Sequence, residues 1–340
     1  MVAGVVNALK PFRVIQVGKE TVYGTEVAAT RVIRINNMRF NDQAAQRVYL
    51  PDRSIGRMTT HSEAGTVTRT GATGSIDTDF SFEDVLLPLL MGYQGGVTAS
   101  AEKTAGQGDR EWIFKLDPNA GDPTPDSYTL ERRLSDGTTS WDRTVAGCLV
   151  PQFTISAEQN GDVTNLAYDW WGSAPNANAI TGSLSVPTPF TMLPALSWKV
   201  FFDVSWAAMD TFGTAPTYDG GAQIATTVKS FTLTYKGGIE PALYIGDGRT
   251  DPSAHRFRRR GFELSMDVEY NANVLAEQAK AAAGSKTYVR LLGEGARIGT
   301  GFNKTFLAQG AFVYPDGGFG EIGGDDDGAE TVSLKLESVA

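Results

Sequence analysis

His61 and His255 are the whole imidazole complement of this 340-residue chain, and Cys148 is its one cysteine. Two histidines can share a metal ion. Here no Cys, Asp or Glu cluster accompanies them at ligand spacing, and both read as polar loop residues. A single cysteine forms neither an intrachain disulfide nor a thiolate-built zinc site. Asp325-Asp326-Asp327 lacks the alternating ligands and closing glutamate of a calcium loop and reads as a solvated acidic turn. Gly246-Asp247-Gly248 and Gly293-Glu294-Gly295 fit no phosphate-binding spacing and read as turns. Asn303-Lys304-Thr305 matches a glycosylation sequon, which has meaning only in a secreted chain. No serine or cysteine nucleophile stands with a histidine in a recognisable setting. The expectation is a protein that is not an enzyme and uses no metal and no cofactor.

The pattern that does carry chemistry is an alternation. Ser75, Asp77 and Asp79 alternate with Ile76, Thr78 and Phe80, and Glu263, Ser265, Asp267 and Glu269 alternate with Leu264, Met266, Val268 and Tyr270. A strand sends successive side chains to opposite faces, so each segment has one acidic and one apolar face. Its occurrence at matching places in two parts of the chain points to a surface that repels phosphate. The basic counterpart, Arg256 to Arg260 interrupted by Phe257, reads as pairing with carboxylates of a neighbouring subunit.

The elements that must position these faces follow a duplicated plan. Val14 and Val200 lie 186 residues apart, Gly24 and Gly213 lie 189 apart, and Phe82 and Tyr270 lie 188 apart. Leu134 and Leu292 lie only 158 apart, which leaves about thirty extra residues in the first half. They fall at about 95–126, a stretch rich in Gly, Pro, Asp and Ala that reads as an inserted loop. The stretch from Gly172 to Pro194, with Pro175, Pro187, Pro189 and Pro194, reads as a linker, which leaves 176–193 between the units. Two units follow, 1–175 and 194–340. Strands alternate clearly over Thr226 to Tyr235, and Asn160-Gly161 predicts a tight two-residue hairpin turn between Phe153–Glu158 and Val163–Trp170. Each unit has one helix. The first covers Glu83 to Met91, with two carboxylates at its start; the second covers Asn271 to Ala283, capped by Asn271 or Asn273. The fold class expected is mainly β: two tandem β-sandwich or partial-barrel domains, each with one flanking helix.

Each unit also holds a long charged segment, Asn41 to Ser62 and Gly237 to Arg260. These read as projecting β-hairpin arms that a partner subunit would order. The first carries Arg47, Arg53, Arg57 and His61. The second carries Arg249, His255, Arg256, Arg258, Arg259 and Arg260. Thirty basic against thirty-nine acidic residues leave a net charge of −9, which argues against a protein that grips nucleic acid phosphates. The most apolar stretch, Pro194 to Met209, contains Lys199 and Asp203 and is not a membrane span. Met1 to Lys10 lacks the pattern of a signal peptide.

Three segments resemble the tail tube (major tail) proteins of long-tailed bacteriophages. They are Gln16-Val17-Gly18-Lys19-Glu20-Thr21-Val22-Tyr23-Gly24-Thr25 with Ala28-Ala29-Thr30, the passage Phe82-Glu83-Asp84-Val85-Leu86-Leu87-Pro88-Leu89-Leu90, and Gly147-Cys148-Leu149-Val150 leading to Phe153-Thr154-Ile155-Ser156. The resemblance implies tube-type β-sandwich units that form six-fold rings and stack into a hollow tube for DNA. Two units per chain imply three chains per ring. Asp77, Asp79, Glu263, Asp267 and Glu269 would line the lumen, and the arms and termini would bridge successive rings. The implied partners are further copies of the chain, the tape measure and tail-end proteins; DNA passes without specific binding, and no membrane is involved. The implied location is the virion tail, after synthesis in the host cytoplasm. The alternative is a β-sandwich adhesin or carbohydrate-binding module, with Trp170-Trp171 or Trp206 as its platform.

Overall fold

Apolar, β-branched and aromatic residues at every second position suit a pleated, half-buried surface, and most of this chain is strand. A computed structural model describes residues 12–41, 46–49, 65–102, 106, 110–115, 124–135, 139–182, 184–185, 190–203, 222–223, 227–244, 250–298, 302–324 and 330–339. The first nine strands are β1 (Phe12–Lys19), β2 (Arg31–Ile33), β3 (Asn37–Asn41), β4 (Gln46–Tyr49), β5 (Gly65–Arg69), β6 (Ala72–Asp79), β7 (Tyr128–Ser135), β8 (Ser140–Glu158) and β9 (Asn165–Gly172). Then come β10 (Trp198–Asp203), β11 (Ala222–Gln223), β12 (Val228–Lys236), β13 (Ile239–Ala242), β14 (Ala254–Phe257) and β15 (Gly261–Glu269). The last four are β16 (Thr287–Ile298), β17 (Phe302–Val313), β18 (Gly323–Gly324) and β19 (Glu330–Ser338).

Hydrogen bonding orders the strands as two sets with the same plan. One runs β2-β1-β7-β8-β9-β6-β3, the other β11-β10-β16-β17-β19-β15-β12, and every neighbouring pair is antiparallel. Between β3 and β6 stands the hairpin β4–β5, and between β12 and β15 stands β13–β14. The sets merge where β12 pairs with the end of β8, from Ser230 opposite Glu158 to Lys236 opposite Gln152. The mainly β expectation holds, with large antiparallel sheets.

The 19-residue β8 turns the first set over on itself. It pairs with β7 up to Cys148 and with β9 from Leu149, and its register with β9 slips between Leu149 and Gln152. Such a bulge bends a strand. Ile15 and Leu130 on one part, and Ile76, Leu166 and Tyr168 on the other, then share one core. That core continues into the second set through Leu233, Leu264, Met266, Val268 and Leu334. Phe80, fully buried after β6, joins the sets directly. Its ring meets Phe82 at 5.8 Å, Phe306 of β17 at 5.3 Å and Trp198 of β10 at 6.2 Å, all near edge-on.

The helices differ from each other. The second, α2 (Ala272–Ala282), is capped as expected by Asn271, whose side chain accepts from the Asn273 and Val274 amides. The first is shorter than expected: α1 (Leu86–Pro88) passes at once into a wide turn over Leu89–Tyr93. Pro88 has no amide hydrogen to give. Gly92 lies so close to β8 that a Cβ there would meet the Val150 carbonyl oxygen at 2.4 Å. Glu83 and Asp84 therefore do not start a helix. Asp84 pairs with Arg31 and accepts the Ser81 hydroxyl at 2.9 Å, while Glu83 pairs with Lys304 of β17. The turn after β8 also differs. It spans 159–164, and Gly161 is not among the positive-φ glycines, so it is not the two-residue turn that Asn160-Gly161 predicts. The stretch after β9 is tied down: the Thr181 amide and hydroxyl donate to buried Glu131 at 2.6 and 2.7 Å.

Four tyrosines in or packed against the core are expected to make the fold alkali-sensitive. Burial pushes the Tyr128 hydroxyl up to about 12 from an ordinary 10.0 and raises Tyr168, Tyr235 and Tyr314 further still. A raised folded pKa means that the unfolded chain gives up these protons first. Their contribution to stability is full below about pH 10 and falls as pH rises through 12. The expected result is that tyrosinate absorbance from these four appears only together with loss of the β circular dichroism signal. Complete ionisation of all 11 tyrosines with the fold intact would refute it.

Candidate functional site, an acidic sheet face

The sheet order β3-β6-β9-β8-β12-β15-β19 brings both acidic segments onto one continuous surface. Cross-strand register aligns Asn37, Asp77, Ala167, Thr154, Thr234, Glu263 and Glu337 in one row. A second row holds Asp79, Asn165, Ser156, Thr232, Ser265 and Lys335. A third holds Glu158, Ser230, Asp267 and Ser333, and Glu269 stands opposite Thr331. The residues between these positions, such as Ile76, Leu166, Ile155, Leu233, Leu264 and Leu334, are buried on the other face. The alternation read in the sequence is thus the division between core and surface.

The five acidic residues predicted for this face all lie on it, as do three that the sequence reading missed: Glu158, Asp169 and Glu337. Against these eight carboxylates, the cross-strand register places three cations among the described residues, Arg39, Lys236 and Lys335. Lys236 is paired with Glu263. Between the charges lies a bed of Ser, Thr and Asn side chains that holds the carboxylates in place. Asn165 Nδ2 donates to Asp77 Oδ1 at 2.7 Å, Asn36 Nδ2 donates to Asp79 Oδ1 at 2.7 Å, and the Ser230 hydroxyl donates to Asp267 Oδ2 at 2.8 Å. The surface can shed phosphate but offers it little to bind.

The Glu20 turn gives physical content to the first resembling segment. Glu20 is buried, and its carboxylate accepts from the Gly147 amide at 2.7 Å, the Thr129 hydroxyl at 2.9 Å and the Gly24 amide at 2.9 Å. One carboxylate thereby fastens the turn after β1 to β7 and β8. Gly147 has φ +65°, in the left-handed region that favours glycine, and a Cβ there would be in ordinary contact with the Tyr23 ring. The profile of the family described as phage tail tube protein matches residues 13–336. The chain belongs to that family. No curated protein matches it. Tail tube proteins are structural components of the virion tail, not an enzyme class. Among the described residues, no helix is long and apolar enough to cross a membrane.

In this tail tube protein the second arm lies against the body. Ile239 of β13 and Phe257 of β14 pack with Leu149, Trp171 and Tyr23. His255 lies between Tyr23, tilted against it, and Phe257, edge-on to it, each 5.4 Å away, and burial lowers its pKa below the ordinary value. Arg256 and Arg258 share one carboxylate of their own arm, Glu240, at 3.2 and 2.9 Å. The Arg47 backbone belongs to β4. Arg53, Arg57, His61 and Arg249 lie outside the described residues, as do Trp206 and Asp325 to Asp327. Trp170 and Trp171 are 2% and 5% exposed, so they form core and not an aromatic platform for sugars.

Proposed function

We propose that this protein builds the tube as stacked rings of three chains, each chain contributing two tandem units, 1–175 and 194–340, joined by 176–193. The acidic sheet face lines the lumen. DNA carries one negative charge per ~1.7 Å of its axis, and a protein gains affinity by neutralising phosphates and releasing their counterions. A wall of carboxylates and hydroxyls gives no such gain, so DNA slides past it. The two hairpin arms and the termini make contacts between subunits and between rings. Tape measure and tail-end proteins are the further partners, and the chain is made in the host cytoplasm before joining the tail.

The observation that carries this reading is the continuity of the face. Its eight carboxylates come from both strand sets, and two rows, Asp77 with Glu263 and Glu337, and Glu158 with Asp267, run across the β8–β12 junction. The equal strand order of the sets supports the tandem-unit reading. Electron microscopy of the concentrated protein tests it. The expected result is hollow tubes whose rings have three-fold symmetry; monomers persisting under all conditions would overturn it.

A further inference from the structure

We propose that the segment Arg34–Arg39, which leads into β3, pairs in one chain with Gly318–Gly323 of a second copy, in the register that β12 keeps with β8. The proposal rests on the ring reading above and names the seam that closes the ring.

The two strand sets differ in one respect. In the second set, β12 has β15 on one edge and β8 on the other, whereas β3, its counterpart, has only β6 among the described residues. In the first set, β8 accepts β12 beside β9. Its counterpart is the path that continues from β17 through Phe319 to β18. That path is paired with β19 alone, by the Phe319–Leu334 bridge and the Gly323–Thr331 pair. Among the described residues there are thus one filled junction, one edge at 36–40 that pairs with no second strand, and one vacant edge to receive it. In an antiparallel sheet such edges invite pairing.

The registers fix which residues meet. Met38 faces Ile76 as Leu233 faces Leu264, so Met38 is the counterpart of Leu233. Phe319 faces Leu334 as Ile155 faces Leu166, so Phe319 is the counterpart of Ile155. Leu233 pairs with Ile155 across the filled junction. Met38 should therefore meet Phe319 of the second copy, Asn36 should meet its Glu321, and Ile35 should meet its Ile322.

Burial and charge agree with this. Leu233 and Tyr235 are buried, while their counterparts Met38 and Phe40 are only partly so. Ile322 is 42% exposed. The Met38 amide donates to the side chain of its neighbour Asn37 at 2.9 Å, a local bond that a strand carbonyl would replace. The donor segment carries Arg34 and Arg39; the receiving segment carries Glu321, and Asp316 stands two residues before it. The same seam would carry β4–β5 over the second copy as β13–β14 lies over β8 and β9.

Cysteine cross-linking in assembled tubes tests the register. Cα atoms directly opposite in an antiparallel pair lie ~4.5–5.5 Å apart, within disulfide reach. Native Cys148 is buried and gives little background. Asn36→Cys with Glu321→Cys in one chain should convert the monomer band into reducible covalent oligomers on oxidation. Each single variant, and the shifted pair Asn36→Cys with Gly323→Cys, should remain monomeric on the gel. Tubes that form without the first cross-link, or with the shifted one in preference, overturn the seam and leave the tube reading standing. Unmodified protein that never assembles overturns both. Met38→Pro provides a second measure. Proline is tolerated on an edge strand where its position faces solvent, so this variant should keep its β circular dichroism and lose assembly. Normal tubes from Met38→Pro would also overturn the seam.

Discussion

Phage built with Asp77→Lys and Asp267→Lys are expected to carry tails of normal length and to release DNA about tenfold more slowly. Both carboxylates stand on the surface side of their strands and are held by side chains of the same face, Asn165 for the first, Ser230 and Ser333 for the second. Surface changes of this kind shift stability by ~0.5 kcal/mol or less, so folding and assembly should persist. The electrostatic balance of each chain changes from eight carboxylates against three cations to six against five. New lysines neutralise phosphates and release counterions, which creates an attraction that falls steeply with salt. Higher ionic strength should therefore restore the release rate of the double variant. Wild-type release at every salt concentration would mean that this face points away from DNA.

Phe80→Ala should cost about 4 kcal/mol of stability in urea unfolding of the unassembled protein. Its ring is fully buried and touches three other aromatic rings, two of them from the second strand set. Its backbone is equally engaged: the Phe80 amide donates to Thr164 at 2.7 Å, and its carbonyl accepts from Leu193 at 3.2 Å. The position cannot easily collapse, because it is pinned from both sets, so the cavity should remain. Phe80→Leu fills most of that space and should cost less than about 1.5 kcal/mol. A loss below about 1 kcal/mol for the alanine variant would show that this cluster does not tie the sets together.

The strands that alternate strictly were legible from residue types alone. β12 and β15 are examples, because their period of two is a direct consequence of a pleated backbone with one wet face. What could not be read was register. Glu158, Asp169 and Glu337 join the acidic face only because β8, β9 and β19 pair where they do, although the alternation of 330–337 held a signal for the last. Local signals were overruled by long-range contacts elsewhere. Pro88 and the approach of Gly92 to β8 shorten the first helix, and Asp84 serves Arg31 instead of a helix end. Trp170 and Trp171 look like a sugar platform only until β6 and the second arm cover them. The Glu20 carboxylate, central to the turn after β1, gathers partners more than a hundred residues away.

The β8–β12 junction also bears on how quickly a ring can begin. Two strands on one chain find each other at the effective concentration of an intramolecular reaction, which falls as the chain between them lengthens. That junction closes during folding and needs no collision between molecules. In a ring of three such chains only the remaining seams await diffusion, so ring nucleation would scale with the cube of protein concentration. A ring of six single-unit chains would scale with the sixth power. On the proposed three-chain ring, joining two units in one chain would turn half of an assembly problem into a folding problem and would let tubes start from a dilute pool.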